Sequence, residues 1–161
     1  ESRQLFTGTK DFIWSMDPAN DNLMAVFNNI KDYGMELFGN SDIDFHARAQ
    51  PIGLDQVSLQ PGFTRQIVLI FKEGLHNAFK HAACRNVRFS INITGDQLDI
   101  VLKDDGKGFI AEELAYYEGI KKMRFRGKKI KSDLKLSSNA ENGTEIMLRA
   151  VLNSRSENLS D

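Results

Sequence analysis

A single cysteine, Cys84, leaves no partner for an internal disulfide and too few thiols for a cysteine-based zinc cluster, and so fits a reducing compartment. No apolar run approaches the length of a membrane span or of a signal-peptide core, which predicts a soluble, cytoplasmic piece. Charge of one sign is also lacking. The 21 Lys and Arg stand against 22 Asp and Glu, so no global field argues for nucleic acid or for an acidic partner. The local exception is KKMRFRGKKIK, residues 121–131, which could hold phosphates but is more often a solvated helix face. There is no internal repeat and no low-complexity segment. What remains is 161 residues with 41% apolar side chains, which suits one domain with one core.

Apolar spacing divides the chain into elements. ESRQLFTGTKDFIWSMDP reads as the tail of a longer helix that reaches Phe12, Ile13, Trp14 and Met16 before Pro18 stops it. Residues 23–38 carry apolar side chains at helical spacing and end at Gly39-Asn40. Residues 43–48 alternate as a short strand, and a connection containing Pro61 and Gly62 leads to the best helix of the chain, residues 64–83. Two strands, 86–93 and 97–104, form a hairpin at Thr94-Gly95-Asp96. The loop DDGKGF then leads through IAEELAYYEG to a basic helix around residues 120–130. Two last strands, 133–139 and 143–152, flank turn residues, and the polar tail NSRSENLSD is expected to fray.

The best helix raises a question. It carries Glu73, Asn77 and His81 four residues apart, and each step of four turns about 400°, so the three side chains form one drifting ridge. The apolar face centres near Gly74 and Ala78, which puts the ridge on its flank, where a row can line a pocket at the edge of the core. On spacing alone an ordinary boundary row is the commoner explanation. A second element bears on the choice: LDIVLKDDGKGF ends a strand in Asp104-Asp105-Gly106-Lys107-Gly108. A carboxylate at a strand end can accept from a ligand amine, and two glycines let backbone approach a flat ligand. In isolation such a loop is more often a plain turn. Order and distance lift both motifs: a polar-ridged helix, two strands, a glycine loop, a basic helix, then a strand that begins Gly143-Thr144.

FKEGLHNAFKHA resembles the N box, and DDGKGF the first glycine box, of the Bergerat-fold ATPases. Within that superfamily, DFIWSMDPANDNL and EGLHNAFKHA resemble the kinase core of two-component sensor histidine kinases, especially the large sensor hybrids of gut Bacteroidetes. The resemblance runs from about residue 12 to about residue 152. It implies an α+β fold, a two-layer α/β sandwich with a mixed, mainly antiparallel sheet covered by helices on one face. It also implies three segments: residues 1–16 as the end of an upstream dimerisation helix, 17–153 as the ATP-binding catalytic domain, and 154–161 as a disordered tail.

The site follows from the same resemblance. Asn77 matches the asparagine that coordinates Mg²⁺ on the ATP phosphates, an ion that takes few protein ligands beside phosphate and water. Glu73 matches the acidic catalytic residue, and Lys80 and His81 the basic end of the box near the phosphates. Asp104 matches the acceptor of the adenine amine, with Gly106 and Gly108 under the base and Thr144 backing the adenine site. Gly119 falls where the second glycine box begins a helix beside the phosphates, since a helix start favours anions. The match fails in part there: Tyr117 and Glu118 stand where G-x-G is common, and Lys131 and Ser132 where a glycine pair is common. A mobile segment over residues 110–119 is expected without ligand.

Such a domain transfers the γ-phosphoryl group of ATP to a histidine on a separate dimerisation helix pair, for relay to the receiver domain of a response regulator. The implied whole is a homodimeric, membrane-anchored sensor with this domain in the cytoplasm, monomeric when isolated and contacting no nucleic acid. The histidines here are His46, His76 and His81, none of them before Trp14, so the phosphoacceptor is expected to lie outside this chain. The competing function is a degenerate module that binds nucleotide weakly or not at all and acts in docking or regulation. An ATPase clamp of the topoisomerase or repair type is disfavoured by the lead-in at residues 12–18 and the short span from Gly108 to Gly119.

Overall fold

A computed structural model describes the backbone of residues 2–50, 53–109 and 114–152, with side chains described for 9–49, 53–109 and 117–152. Helix α1 (Ser2–Ser15) is followed by a 3-10 turn at Pro18–Asn20, capped by Asp17, whose carboxylate accepts from the Ala19 N–H. Helix α2 (Leu23–Phe38) starts where Asn22 accepts from the Ala25 N–H at 2.9 Å, a side-chain cap for an otherwise orphaned donor. Its buried residues Leu23, Val26, Phe27, Ile30, Gly34 and Phe38 recur at three and four. Strand β1 (Asp44–Gln50) and a 3-10 turn at Leu54–Gln56 lead to helix α3 (Pro61–His81). That helix starts three residues earlier than its apolar spacing predicts, because Pro61 occupies a first-turn position where no N–H is needed.

Strands β2 (Asn86–Thr94), β3 (Gln97–Asp104), β4 (Asp133–Asn139) and β5 (Gly143–Val151) complete a five-stranded sheet in the order β1-β2-β3-β5-β4. Only β1 and β2 run parallel, joined through α3; the other three pairings are antiparallel. Helix α4 (Leu114–Lys129) enters between β3 and β4. The fold is α+β with a mixed, mainly antiparallel sheet, as expected.

Alternation decides which face is covered. In β2, Val87, Phe89 and Ile91 are buried; in β3, Leu98, Ile100 and Leu102; in β5, Ile146, Leu148 and Ala150. Phe89 meets Phe27 of α2 and Phe71 of α3, with ring centroids 5.9 and 5.6 Å apart, which fixes both helices on this face. Each such fully buried ring or aliphatic side chain contributes about 1.5–3 kcal/mol. Closest approach falls at Gly74, where a Cβ would come within 2.7 Å of Leu102 and 2.8 Å of Ile146. A glycine in mid-helix costs about 1 kcal/mol of propensity, and here it lets α3 lie on the sheet.

Two phases then carry the site. Asp104 continues the inward series of Leu98, Ile100 and Leu102, and Thr144 precedes Ile146, Leu148 and Ala150. Both polar residues therefore end strands on the covered face, beside the helices.

Candidate functional site

Asp104 and Asp105 are neighbours with opposite surroundings. Asp104 is 7% exposed, and its Oδ1 accepts from the backbone N–H of Gly106 at 2.9 Å and of Thr144 at 3.2 Å. Its Oδ2 makes no hydrogen bond among the described residues. Burial raises the Asp104 carboxyl above the ordinary range; the two N–H donors pull it back, and the adjacent Asp105 charge adds to the rise. Asp105 points the other way along the chain's alternation. It accepts from the N–H of Arg85 at 2.8 Å and of Asn86 at 2.9 Å, and from Asn86 Nδ2 at 2.8 Å. The Asn86 side chain is the main cause of its lowered pKa, against a smaller cost of burial. Asp105 closes the start of β2, which leaves Asp104 as the ligand candidate of the pair.

The glycines of the loop are accounted for by packing. A Cβ on Gly106 would run into the Ala82 carbonyl at the end of α3, and the Lys107 N–H donates to that same carbonyl at 2.8 Å. Gly108 has φ +71° and lies against the Asn139 backbone. The loop is thereby stapled both to α3 and to the β4–β5 turn. Ser138 joins this group: its Oγ accepts from the Phe109 N–H at 2.9 Å and lies 2.8 Å from Thr144 Oγ1. Gly143, with φ +76°, would collide through a Cβ with the Asp104 carbonyl. Ser138 was not singled out from sequence, and Gly143 was noted only as the start of a strand; a serine in a strand carries no local signal of such contacts.

The second group lies on α3. Asn77 is 5% exposed, and its Nδ2 is buried with no hydrogen-bond partner. Glu73, one turn earlier, is partly exposed, while Lys80 and His81 occupy the last turn, Lys80 exposed and His81 partly so. Gly119 comes to this group from α4. A Cβ there would lie 2.5 Å from Glu73 Oε1 and 3.1 Å from Asn77 Nδ2.

This placement corrects one expectation. Gly119 does not begin a helix: α4 starts at Leu114, so Gly119 sits in its second turn, buried against α3. Its N–H is spent inside the helix and cannot serve as a helix-start anion site. Residues 114–119 are helical rather than loose, and the rest of the segment expected to be mobile, 110–113, falls outside the described residues. So does the tail 153–161. Tyr117 packs edge-on to Phe109 at 5.4 Å between centroids, tying α4 to the loop. Arg126, also on α4, donates to Gln66 Oε1 at 3.1 Å and feels the Glu73 charge, a contact that a basic run does not reveal.

The site thus consists of an acceptor at the end of β3, an unsatisfied amide and a carboxylate on α3, and a connecting loop seated on the end of α3. Sensor protein VraS of Staphylococcus haemolyticus is 30% identical over 101 residues, covering 62% of this chain and 29% of that protein. Sensor histidine kinase LiaS of Bacillus subtilis is 25% identical over 115 residues, 68% of this chain and 32% of that protein. The chain's relatives are sensor histidine kinases. Its fold is that of solved histidine kinase domains. The histidine kinase domain of the blue-light activated kinase from Erythrobacter litoralis superposes with a TM-score of 0.66 at 21% identity, over 81% of this chain and 65% of that one. Histidine kinase AdeS of Acinetobacter baumannii gives 0.66 at 12% identity, over 94% and 79%. At those identities the likeness is one of fold. No protein-family model matches the chain. The chain spans about 30% of the length of the curated kinases it matches, and the Bacteroidetes element of the resemblance draws no support from them.

Proposed function

We propose that this chain is the ATP-binding catalytic domain of a sensor histidine kinase, which donates the γ-phosphoryl group of ATP to a histidine on a separate dimerisation domain. The observation that carries this reading is Asp104: a buried carboxylate at a core-facing strand end, with one oxygen held by two backbone N–H groups and the other without a partner. Such an oxygen suits the exocyclic amine of adenine: it is not among the fully buried atoms, so a ligand can reach it, while the bonds to Oδ1 hold the carboxylate in place.

ATP and Mg²⁺ fit the remaining residues. The amide oxygen of Asn77 would be the Mg²⁺ ligand, and the buried Nδ2, which has no partner among the described residues, is a donor suited to a phosphate oxygen rather than to the ion. Glu73 would orient or polarise the attacking group, Lys80 and His81 would meet phosphate charge, and Thr144 would fix Asp104. Gly106 and Gly108 would hold the loop backbone at the base, and Gly119 would let α4 approach Glu73 and Asn77. When bound, ATP supplies the phosphoryl group and Mg²⁺ neutralises its charge. The chain's own contribution is positioning and electrostatic complementarity.

In this reading α1 ends an upstream dimerisation helix, residues 17–153 form the catalytic domain and 154–161 a tail. The partners are those helices in a homodimeric sensor and a receiver domain, with this domain on the cytoplasmic side of a membrane-anchored protein. Among the described residues no helix is long and apolar enough to cross a membrane. One observation favours the alternative, a degenerate module: Gly119 packs directly on Glu73 and Asn77, so α4 covers the residues that would meet phosphate. Titrating the chain with a fluorescent ATP analogue, with and without Mg²⁺, separates the two. Saturable binding strengthened by Mg²⁺ is expected; no binding in either condition would leave only the alternative.

A further inference from the structure

A second concave surface lies between α1, α2 and α3. It is a cavity of about 430 Å³, and two adjoining ridges of α2 form one wall. Asn28, Asp32 and Glu36 make the first ridge, and Asn29 and Tyr33 belong to the second, each set stepping by four residues. Asp11 of α1 stands in the opposite wall. It is 2% exposed; Oδ1 meets Lys72 Nζ at 2.7 Å, whereas Oδ2 is buried with no hydrogen-bond partner.

Charge in this cavity is unbalanced. Asp32 and Glu36 are like charges four apart on one helix, an arrangement that is mutually destabilising, and neither makes an ion pair among the described residues. Lys72 is committed to Asp11 and lies 5.1 Å from the centre of the Tyr33 ring, which leaves exposed Lys10 as the one other cation in the lining. The Tyr33 phenol reports the same field: burial raises its pKa most, then Glu73, Asp11 and Glu36 raise it further. Among the described residues no three His, Cys, Asp or Glu side chains lie close enough to hold a metal ion, which argues against a simple metal site here. Asparagine carbonyls between them add acceptors for N–H donors.

We propose that this cavity binds a small organic cation bearing a guanidinium group, with Asp11, Asp32 and Glu36 as its anionic partners. A guanidinium supplies five N–H donors in a planar fork, enough to reach both a buried carboxylate oxygen and the asparagine carbonyls, which a point-like ammonium cannot do. The lining shares no residue with the proposed nucleotide site, although the Glu73 charge reaches Tyr33 in its wall, and its test does not depend on that reading.

Trp14 provides the readout, since it is the only tryptophan of the chain and lines the cavity. Agmatine titrated into the 161-residue chain at physiological salt is expected to change Trp14 fluorescence saturably and to bind more tightly than putrescine, which has the same four-carbon chain and the same charge but an ammonium in place of the guanidinium. Asp32→Asn with Glu36→Gln, on exposed positions that leave the core intact, should weaken agmatine at least tenfold. Asp11→Asn should weaken it as well, with thermal melting to confirm that the variant is folded. No saturable change up to millimolar agmatine, equal affinity in the Asp32→Asn/Glu36→Gln variant, or equal binding of putrescine would each overturn the proposal.

Discussion

Adjacent aspartates in one loop differ in what surrounds them, and that difference is testable. Asp104→Asn keeps the size of the side chain but places a donor where an acceptor is needed, so nucleotide affinity should fall by about tenfold or more, read by calorimetry. Equal affinity in variant and native chains would remove Asp104 from adenine recognition. The pH dependence has a definite sign. Asp104 titrates above the ordinary carboxylate range because it is buried, and recognition needs the ionised form. Affinity should therefore decline as pH falls toward and through that raised value. Asp105 is lowered by Asn86, so its support for the β2 start is present at neutral pH and is lost only as pH drops through its lowered value. Between the two, binding should weaken before the fold does. Asp104 was legible in the sequence because a strand-end carboxylate before two glycines has a local signature. Ser138 and Gln66 were not, because their contacts join residues 29 and 60 positions apart.

Helices and strands with clear periodicity were legible nearly to their ends. Helix α2 and strands β3 and β4 have the bounds that apolar spacing predicts, and the hairpin turns where Gly95 takes φ +63°. Helix α4 was not legible at its start, since LAYYEG lacks an apolar stripe and Gly119 there serves close packing on α3 rather than a turn. The altered glycine box sits in this first stretch of α4. Tyr117 is held against Phe109, and Glu118 faces Lys121 at 3.7 Å in an exposed pair, so neither side chain is arranged to receive phosphate. ADP should accordingly bind within about tenfold of ATP, a difference of about 1.4 kcal/mol. Replacing both, Tyr117→Gly with Glu118→Asn, should shift the ratio toward ATP. A native chain that already prefers ATP by more than tenfold would show that the box functions as it stands. Lys131 gives an independent check just after α4: it holds φ +55°, a left-handed conformation that disfavours a side chain. Lys131→Gly should stabilise the chain by about 0.5–1 kcal/mol in urea denaturation.

In the proposed reading none of the three histidines, each at a different place in the fold, is the phosphoacceptor. His46 lies on the exposed face of edge strand β1, and His81 ends α3. His76 is half-buried on α3, where burial lowers its pKa against the opposing Glu73 charge. Helix α1 carries no histidine either, but it is clasped to α3: Asp11 meets Lys72 at 2.7 Å, and Arg65 lies 4.9 Å from the centre of the Phe12 ring. Phe12 and Ile13 of α1 and Met16 just after it remain 47, 64 and 67% exposed, apolar surface suited to packing against further helices. Incubated alone with γ-labelled ATP and Mg²⁺, the 161-residue chain should take up no acid-labile label. Mixed with the dimerisation helices of its own protein, it should label them, and Glu73→Gln should reduce that labelling by about 100-fold or more. Label on the isolated chain would mean that one of its own three histidines accepts phosphate. Nucleotide binding without transfer to the added helices would instead favour the degenerate module, in which the covered pair Glu73 and Asn77 keeps the fold but not the chemistry.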